Sequence, residues 1–262
     1  MILALETATA ACSAALCAAD GSVVAEAVAL EGPAHTRNLL PGVHRVLEEA
    51  GAGWADVDTI AVGLGPGAFT GLRIGVATAR ALAHADGRAR LAGVPTTAAL
   101  ALALAAAPEA VAAAAPGPLL VPLVDGKRRE VFAAVYAADR GRLRLVEDVR
   151  VVPADELAAW LSRLGDVLVG GDGAALYAGL LPPSARRAAG VPAPTAAMVG
   201  RAVACGAPGL VHGPGAVLPL YGRVPDATPL APARPPEAGA SPVSAAAPAS
   251  PGGKARRREV PA

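Results

Sequence analysis

Two acidic residues at the ends of predicted strands are the first candidates for chemistry. Glu6 ends the apolar run ILALE, and Asp125 ends the run LLVPLVD. Thr7 places a hydroxyl beside the first acid, while Gly126 and a basic KRR segment follow the second. Carboxylates and hydroxyls in such positions can hold a metal-bound phosphate, which is the chemistry of a kinase. The alternative, which we favour, is that these are polar strand ends inherited from an ancestor, a vestigial phosphate site.

The glycine-rich segment GLGPGAFTGLRIG at 63–75 is a second candidate, as a nucleotide-binding loop. A Walker A loop needs a lysine after its last glycine, whereas Gly71 is followed by a leucine. A dinucleotide-binding loop is also disfavoured, because Pro66 removes a backbone donor and Asp86 lies before the next predicted strand instead of ending it. Anion binding by backbone amides at the start of the following helix stays open. The first glycines are expected to shape the turn out of a strand.

Motifs for other kinds of catalysis are missing from the sequence. The four histidines lack the HExxH spacing, and no GxSxG motif supplies a serine nucleophile. Cys12 and Cys17 are five residues apart in a predicted strand, so they should face opposite sides and pack in the core. For His35, before the first helix, capping or packing is as reasonable as function. We therefore predict no catalytic residue and no metal site.

The elements that position these residues follow a repeated order. Three predicted strands are followed by alternating helices and strands, and the same order of strands begins again after residue 118. This repetition predicts an α/β fold built from a duplicated βββαβα unit. The alternative is that alanine-rich hairpins resemble one another by chance. In the first unit the predicted strands are 2–8, 12–18, 22–30, 58–65 and 89–94, and the predicted helices are 36–50, 71–85 and 96–107.

Two of these helices have faces suited to packing against another helix. The helix at 36–50 has an apolar face of 3.6-residue periodicity. The helix at 71–85 has small residues every fourth position, which would let a second helix approach closely. Arg73 and Arg80 are seven residues apart and share a face of it. The apolar face of the first helix contains Leu39, Leu40, Val43, Val46 and Leu47; small residues of the second are Gly71, Gly75, Ala79 and Ala83, framed by Leu72, Val76 and Leu82.

Composition and charge set limits on the class of protein. The net charge of +1 gives no overall field that favours nucleic-acid or membrane binding. Three cysteines without paired spacing suit a reducing compartment. The apolar tract at 96–107 is shorter than the roughly 20 residues of a membrane span. We expect a soluble cytoplasmic protein with no membrane partner, divided into a lobe at 1–108, a smaller lobe at 118–226 and a disordered Pro/Ala-rich tail at 227–262.

Five segments, in this order, give the chain a family resemblance. ILALETATAACSAAL, HTRNLLPGVHRVLEEAG, GLGPGAFTGLRIGVATARALA, VDGKRREVFAAVY and PLYGRVPDA together resemble the TsaB (YeaZ-type) family of bacterial tRNA threonylcarbamoyladenosine biosynthesis. The resemblance covers roughly residues 1–226, and its glycine-rich segment is the most specific. It implies a two-lobed, duplicated RNase H-like fold of the sugar kinase, Hsp70 and actin superfamily. Two departures are Glu6, where the family commonly has Asp, and the tail.

The resemblance also implies a function and partners. Members are non-catalytic subunits that pair with the catalytic paralogue TsaD and act with TsaE, a P-loop ATPase. The complex transfers threonylcarbamoyl to N6 of the adenosine that follows the anticodon in tRNAs reading ANN codons. The helices at 36–50 and 71–85 would form the partner interface. Its expected residues are Leu39, Leu40, Val43, Leu47, Gly71, Leu72, Arg73, Gly75, Val76, Ala79 and Arg80.

Several alternatives stay open at this point. A small-molecule kinase of the same superfamily would turn over ATP by itself, whereas the family implies no cofactor bound by this chain alone. ATP or ADP at the complex interface, and a homodimer of the free chain, are both compatible with the sequence. A peptidase activity has neither a nucleophile nor a metal site to support it.

Overall fold

The protein is described by a computed structural model covering residues 1–29, 35–113, 117–139, 142–191 and 193–223. All of them lie in one compact unit, Met1–Val224. The tail predicted at 227–262 lies outside the described residues. The division into lobes at 1–108 and 118–226 stays a prediction.

The first half of the unit builds a six-stranded sheet. Its strands run in the order β11-β5-β4-β1-β2-β3, in which β1 pairs antiparallel with β2 and parallel with β4. Strand β11 comes from near the end of the described chain and adds antiparallel to β5. The elements are β1 (Ile2–Glu6), β2 (Cys12–Cys17), β3 (Val23–Ala29), α1 (His35–Glu49), β4 (Thr59–Gly63), α2 (Phe69–Asp86), β5 (Arg90–Val94), α3 (Thr96–Ala105) and β11 (Val211–His212).

The second half repeats this topology in a five-stranded sheet. Its order is β10-β9-β6-β7-β8, in which β6 pairs antiparallel with β7 and parallel with β9. The elements are α4 (Pro108–Val111), β6 (Leu119–Asp125), β7 (Glu130–Asp139), β8 (Arg142–Pro153), α5 (Leu157–Leu164), β9 (Val167–Gly170), α6 (Asp172–Leu176), β10 (Ala185–Arg187) and α7 (Ala196–Ala204). The predicted fold class, a duplicated RNase H-like βββαβα unit, is therefore confirmed. The halves differ most between α2, with 18 residues, and its counterpart α6, with 5.

Helix α3 and helix α7 connect the two sheets. Alanine and leucine side chains cover α3 on all sides, and the helix contacts strand β6 of the second sheet as well as α7. Helix α7 in turn packs against β1 and β2 of the first sheet. One core cluster therefore contains residues of both sheets and both helices. The short side chains of these helices let them pack closely between the sheets, so that the two halves share one core.

Strand β2 shows how well the two sides of the first sheet are covered. All six of its residues are buried. Cys12 belongs to the core cluster under α1, and Cys17 to the cluster shared with α3 and α7. The two thiols thus lie on opposite sides of the sheet, as the odd spacing predicts. In the described part of the chain, no helix combines the length and the apolar character required to cross a membrane.

Candidate functional site

The carboxylate of Glu6 is fully buried and bound by the protein's own donors. Oε1 accepts hydrogen bonds from the amides of Thr7 and Ala8, each at 2.7 Å. Oε2 accepts one from the Thr96 hydroxyl at 2.9 Å, and the same hydroxyl accepts from the Gly65 amide at 3.1 Å. Glu6 therefore ties the end of β1 to the start of α3 and to the glycine-rich segment. The side chain of Glu6 thus serves this internal bracing.

Burial favours the uncharged form of the Glu6 carboxyl. Removal from water is the largest influence and raises the pKa of the carboxyl above its ordinary value of 4.5. The three hydrogen bonds oppose this rise, and the nearby Asp172 adds to it. A carboxylate that is closed off in this way does not suit a metal-bound phosphate. The Thr7 hydroxyl is also engaged, since it donates to the carbonyl of Gly71 at 2.9 Å.

The acid of the second half has a partner that the sequence did not reveal. Asp125 ends β6, and its amide donates to Oδ1 of Asp172 at 3.1 Å. Burial, and then the proximity of Asp125, raise the pKa of Asp172 despite hydrogen bonds to it. The charge of Asp172 also contributes to the raised pKa of Glu6, after burial. Asp172 therefore interacts with the acid that ends the first strand of each half, and the predicted meeting of the two strand ends stays a prediction.

The turn after Asp125 folds its basic segment back onto this acid. Lys127, Arg128 and Arg129 all have positive φ angles, of 60°, 51° and 59°. This backbone places the Lys127 amide 2.8 Å from Oδ1 of Asp125 and its ammonium group 2.6 Å from Oδ2. The Gly126 amide donates to the carbonyl of Glu130. The residues predicted as a vestigial phosphate site are therefore occupied by internal contacts. We call the region around Glu6, Asp125 and Asp172 the cleft, and we derive no chemical step through a nucleotide or metal there.

A short segment near the end of the described chain bridges the two halves at this cleft. We call residues 217–223 the strap. At its centre the Leu220 amide donates to the carbonyl of Leu64, which follows β4. At its end Arg223 donates to the Gly126 carbonyl at 3.1 Å, forms an ion pair with Glu130 and lies over the ring of Phe132. The strap therefore ties the segment after β4 to the turn and strand that follow Asp125.

The glycines of α2 face the protein's own interior. A Cβ atom at Gly75 would overlap the Thr7 hydroxyl, and one at Gly71 would overlap the Thr7 carbonyl oxygen and lie 3.2 Å from the ring of His35. The smooth face predicted to receive a partner helix is thus filled from within the chain. His35 packs there, with its Nδ1 unpartnered among the described residues.

This finding corrects most of the predicted partner interface. Eight of its eleven residues are buried in the core of this chain, since each lies on a helix face turned toward the sheet. They cannot contact a partner without unpacking. The buried residues are Leu39, Val43, Leu47, Gly71, Leu72, Gly75, Val76 and Ala79. Leu40 is 53% exposed, Arg73 is exposed and Arg80 is partly exposed, so only these three stay accessible.

The outward face of α2 has two sides of different character. On the side at residues 74, 78 and 81, Ile74 and Thr78 are partly exposed and Ala81 is exposed. Helix α1, which contacts α2, carries the exposed Leu40. Roughly 100° around the helix, at the spacing of 3.6 residues per turn, lie Arg73 and Arg80. Sequence periodicity identified the helix but assigned its buried face to the partner.

The sequence analysis missed two residues that bind the candidate acids. Thr96 bridges Glu6 and Gly65 from the first turn of α3, and Asp172 follows β9 in the segment VGGDG. An acid flanked by glycines at a strand end was the available signal for Asp172. Nothing local marks Thr96. Among the described residues, no group of three or more His, Cys, Asp or Glu side chains is arranged to hold a metal ion.

Comparison with known proteins agrees with this architecture. A family model described as TsaD, tRNA N6-adenosine threonylcarbamoyltransferase, matches residues 19–162, more than half of the chain. An uncharacterized protein of Mycobacterium tuberculosis is 34% identical over 237 residues, which cover 88% of this chain and 95% of that protein. Escherichia coli TsaB, a tRNA threonylcarbamoyladenosine biosynthesis protein, is 46% identical over 82 residues, 31% of this chain and 35% of that protein.

A solved structure extends the likeness over nearly a whole relative. YeaZ from Pseudomonas aeruginosa superposes with a TM-score of 0.65 at 31% identity, covering 84% of this chain and 98% of that one. The expected resemblance is thereby confirmed in both sequence and fold. The chain belongs to the TsaB (YeaZ-type) branch of the TsaD family.

Proposed function

We propose that this chain is the non-catalytic TsaB-type subunit of a tRNA threonylcarbamoyladenosine machinery. It pairs with a TsaD paralogue, acts with a TsaE-type ATPase, and supports threonylcarbamoyl transfer to N6 of the adenosine after the anticodon in tRNAs reading ANN codons. The observation that carries the proposal is the likeness to YeaZ at 31% identity over 98% of that chain. The naming of TsaB relatives for this pathway agrees with it.

The geometry of the cleft supports a subunit that acts through binding. A phosphoryl-transfer site needs carboxylates free to hold metal ions and donors free to meet phosphate oxygens. Here Glu6 accepts three hydrogen bonds from its own chain, and Asp125 accepts two from Lys127. Freeing Glu6 would break contacts that tie β1 to α3, and freeing Asp125 would break the contacts of its own turn.

The interface with TsaD is proposed on the outward, largely apolar side of α1 and α2. Leu40 on α1 and Ile74, Thr78 and Ala81 on α2 replace the buried residues first expected there. The short side chains of Thr78 and Ala81 still allow a second helix to approach closely, as the sequence argument required. Burial of Leu40, now 53% exposed, would add hydrophobic stabilisation to the complex.

Co-purification with TsaD tests this proposal. Leu40→Glu and Ala81→Glu each place a charge in the proposed contact, and each should weaken complex formation at least tenfold, because an unpaired buried charge is strongly unfavourable. Ala159→Glu, on the exposed face of α5 in the second half, is the matched control. Gly75→Glu is unsuitable, since it would disrupt packing against Thr7. If both interface variants bind TsaD as the unmodified chain does, the proposed interface is wrong.

A kinase of the same superfamily is the alternative function. It requires sustained ATP turnover by the purified chain, abolished by Asp125→Ala. Such turnover would refute the non-catalytic assignment, whereas its absence together with restored tRNA modification in the presence of TsaD and TsaE supports the proposed role. Light scattering of the chain with and without TsaD would distinguish a heterodimer from a homodimer of the free chain.

A further inference from the structure

We propose that the basic side of α2 binds a single-stranded segment of RNA, with arginines on the phosphates and an exposed aromatic pair under one base. The inference rests on the proposed function, because it takes the RNA to be the anticodon loop of the tRNA on which the complex acts. It assigns a direct RNA contact to this subunit.

Basic side chains follow one line along α2 and continue past its end. We call Arg73, Arg80, His84 and Arg90 the basic stripe. The first three are seven and then four residues apart, which places them on one side of the helix. From Arg73 to His84 the line is about 16 Å long at 1.5 Å per residue. The sequence of α2 contains no acidic residue before Asp86, so no carboxylate of this helix interrupts the stripe.

The arginines of the stripe are available to phosphate. Within the described ranges, none of the three forms an ion pair with a carboxylate. Arg80 makes a hydrogen bond of 3.4 Å to the carbonyl of Val217, and Arg73 lies over an aromatic ring. The pKa of Asp58 is lowered chiefly by the amino group of Met1, which binds this carboxylate at 2.6 Å, and to a smaller extent by the charge of Arg90.

The stripe ends in a pocket with further basic groups. This pocket has a volume of about 510 Å³ and lies between the end of α2, strand β5 and the segment after β11. Arg80, His84, Arg90 and His212 all line it. Asp86, at the end of α2, does not line the pocket. Its carboxylate accepts hydrogen bonds from the amides of Arg88 and Ala89 in the turn that follows the helix. The pocket thus combines four basic side chains without a lining carboxylate.

An aromatic pair stands at the opposite end of the stripe. Phe69, the first residue of α2, is 55% exposed, and Tyr221 of the strap is 46% exposed. Their ring centroids are 5.0 Å apart at an angle of 31°, and the Arg73 guanidinium lies 5.2 Å from the Phe69 centroid. The chain has only seven aromatic residues (two Phe, two Trp and three Tyr), and two of them form this exposed pair. Aromatic rings beside arginine are the usual platform for unpaired bases.

A protein partner is the competing occupant, and the charge pattern decides against it. Partner proteins seldom offer a row of anions spaced to match a line of arginines. The phosphates of a nucleic-acid backbone form such a row whatever the base sequence. The proposed TsaD contact at Leu40 and Ala81 lies on the other side of α2. The two surfaces can therefore be occupied at the same time.

Binding of a labelled anticodon stem–loop of an ANN-reading tRNA tests the inference. The full chain, alone and with TsaD, is titrated by fluorescence anisotropy between about 50 and 200 mM salt. Three phosphate contacts predict a log–log salt slope of about −2, or about a 20-fold loss of affinity over this range. Arg73→Ala and Arg80→Ala should each reduce the magnitude of the slope by about 0.7. Phe69→Ala and Tyr221→Ala should each weaken binding about 5- to 150-fold at constant slope.

Matched controls separate the stripe from general effects. Arg163→Ala removes an exposed arginine of α5, and Leu176→Ala removes an exposed apolar side chain of the second half. Both should bind the stem–loop as the unmodified chain does. Unchanged melting temperatures of the variants exclude unfolding as the cause.

The outcomes distinguish this inference from the proposed function. If no RNA binding is detected with or without TsaD, or if the stripe and aromatic variants bind within twofold of the unmodified chain, the inference is wrong. The inference is also wrong if these variants no longer bind TsaD but still bind the RNA. If RNA binding depends on the stripe but the chain neither binds TsaD nor supports modification, the proposed function fails and the inference stands.

Discussion

The packing of Thr7 against α2 predicts that Gly75→Ala destabilises the protein. The new Cβ atom would overlap the Thr7 hydroxyl, which is fully buried and donates to the Gly71 carbonyl at 2.9 Å. Overpacking of a core costs about 1–3 kcal/mol, and loss of the hydrogen bond about 0.5–1.5 kcal/mol. Alanine in a helix returns about 1 kcal/mol relative to glycine. The free energy of unfolding should therefore fall by about 1–3 kcal/mol.

A double-mutant cycle makes this prediction specific. In a Thr7→Ala background the hydroxyl is absent, and the new Cβ would meet the remaining Cβ of residue 7 at 3.4 Å, an ordinary contact. Gly75→Ala should then be neutral or stabilise by up to about 1 kcal/mol through helix propensity. The two substitutions should couple by about 1–4 kcal/mol, as measured by urea unfolding at equilibrium. Gly179→Ala is the control, because no atom lies within 4 Å of its added Cβ.

The double-mutant cycle can refute the conclusion that the glycines of α2 pack against Thr7 of the same chain. If Gly75→Ala raises the free energy of unfolding of the unmodified chain, position 75 has free space beside it and the Thr7 contact is wrong. If it lowers stability equally with and without the Thr7 side chain, the cost arises elsewhere. Only a cost that depends on Thr7 supports the packing described above.

Three further predictions concern the cleft and the core. Burial raises the pKa of Glu6, so the stabilisation that its protonated carboxyl contributes is fully present below about pH 4.5 and is lost as pH rises through the folded-state pKa. The free energy of unfolding in urea should therefore decline between about pH 4 and 8, and Glu6→Gln should flatten this decline. The pKa of Cys12 and that of Cys17 are both raised to about 11 by burial, so Ellman's reagent at about pH 8 should modify only the exposed Cys205 rapidly in the native protein and all three thiols in denaturant. Arg223→Ala should lower the free energy of unfolding by about 1–2 kcal/mol, because it removes a half-buried ion pair of the strap; a change below about 0.3 kcal/mol would mean that the strap does not join the two halves.

The sequence predicted most elements because their signals are local. The helix predicted at 71–85 is observed at Phe69–Asp86, and the one predicted at 36–50 at His35–Glu49. Alternating and 3.6-residue patterns arise within the element itself, so an isolated sequence contains them. Even Pro41, which removes a donor inside α1, does not end that helix.

The use of each helix face was not predictable in the same way. A repeat of small residues shows that something approaches closely, but it does not show what approaches. Here the approaching residue is Thr7, 64 positions before Gly71 in the chain. The contacts of Asp172 and of the strap are also formed between distant segments, and a single sequence contains no record of such pairings. The site therefore became visible only with the fold.

If the proposed function holds, the cleft and α2 together explain how an enzyme-like fold can serve as a binding subunit. Each half keeps an acid at the end of its first strand, but Glu6 now braces β1 against α3, and Asp125 holds its own turn through Lys127. Under the proposed function these groups stabilise the fold instead of taking part in catalysis, and the binding surfaces lie outside the cleft. Helix α2 offers two of them, a largely apolar side beside Leu40 and a basic side ending at Phe69. A partner on one side and RNA on the other would be held in a fixed relation by a single helix, because its glycines anchor it to the core.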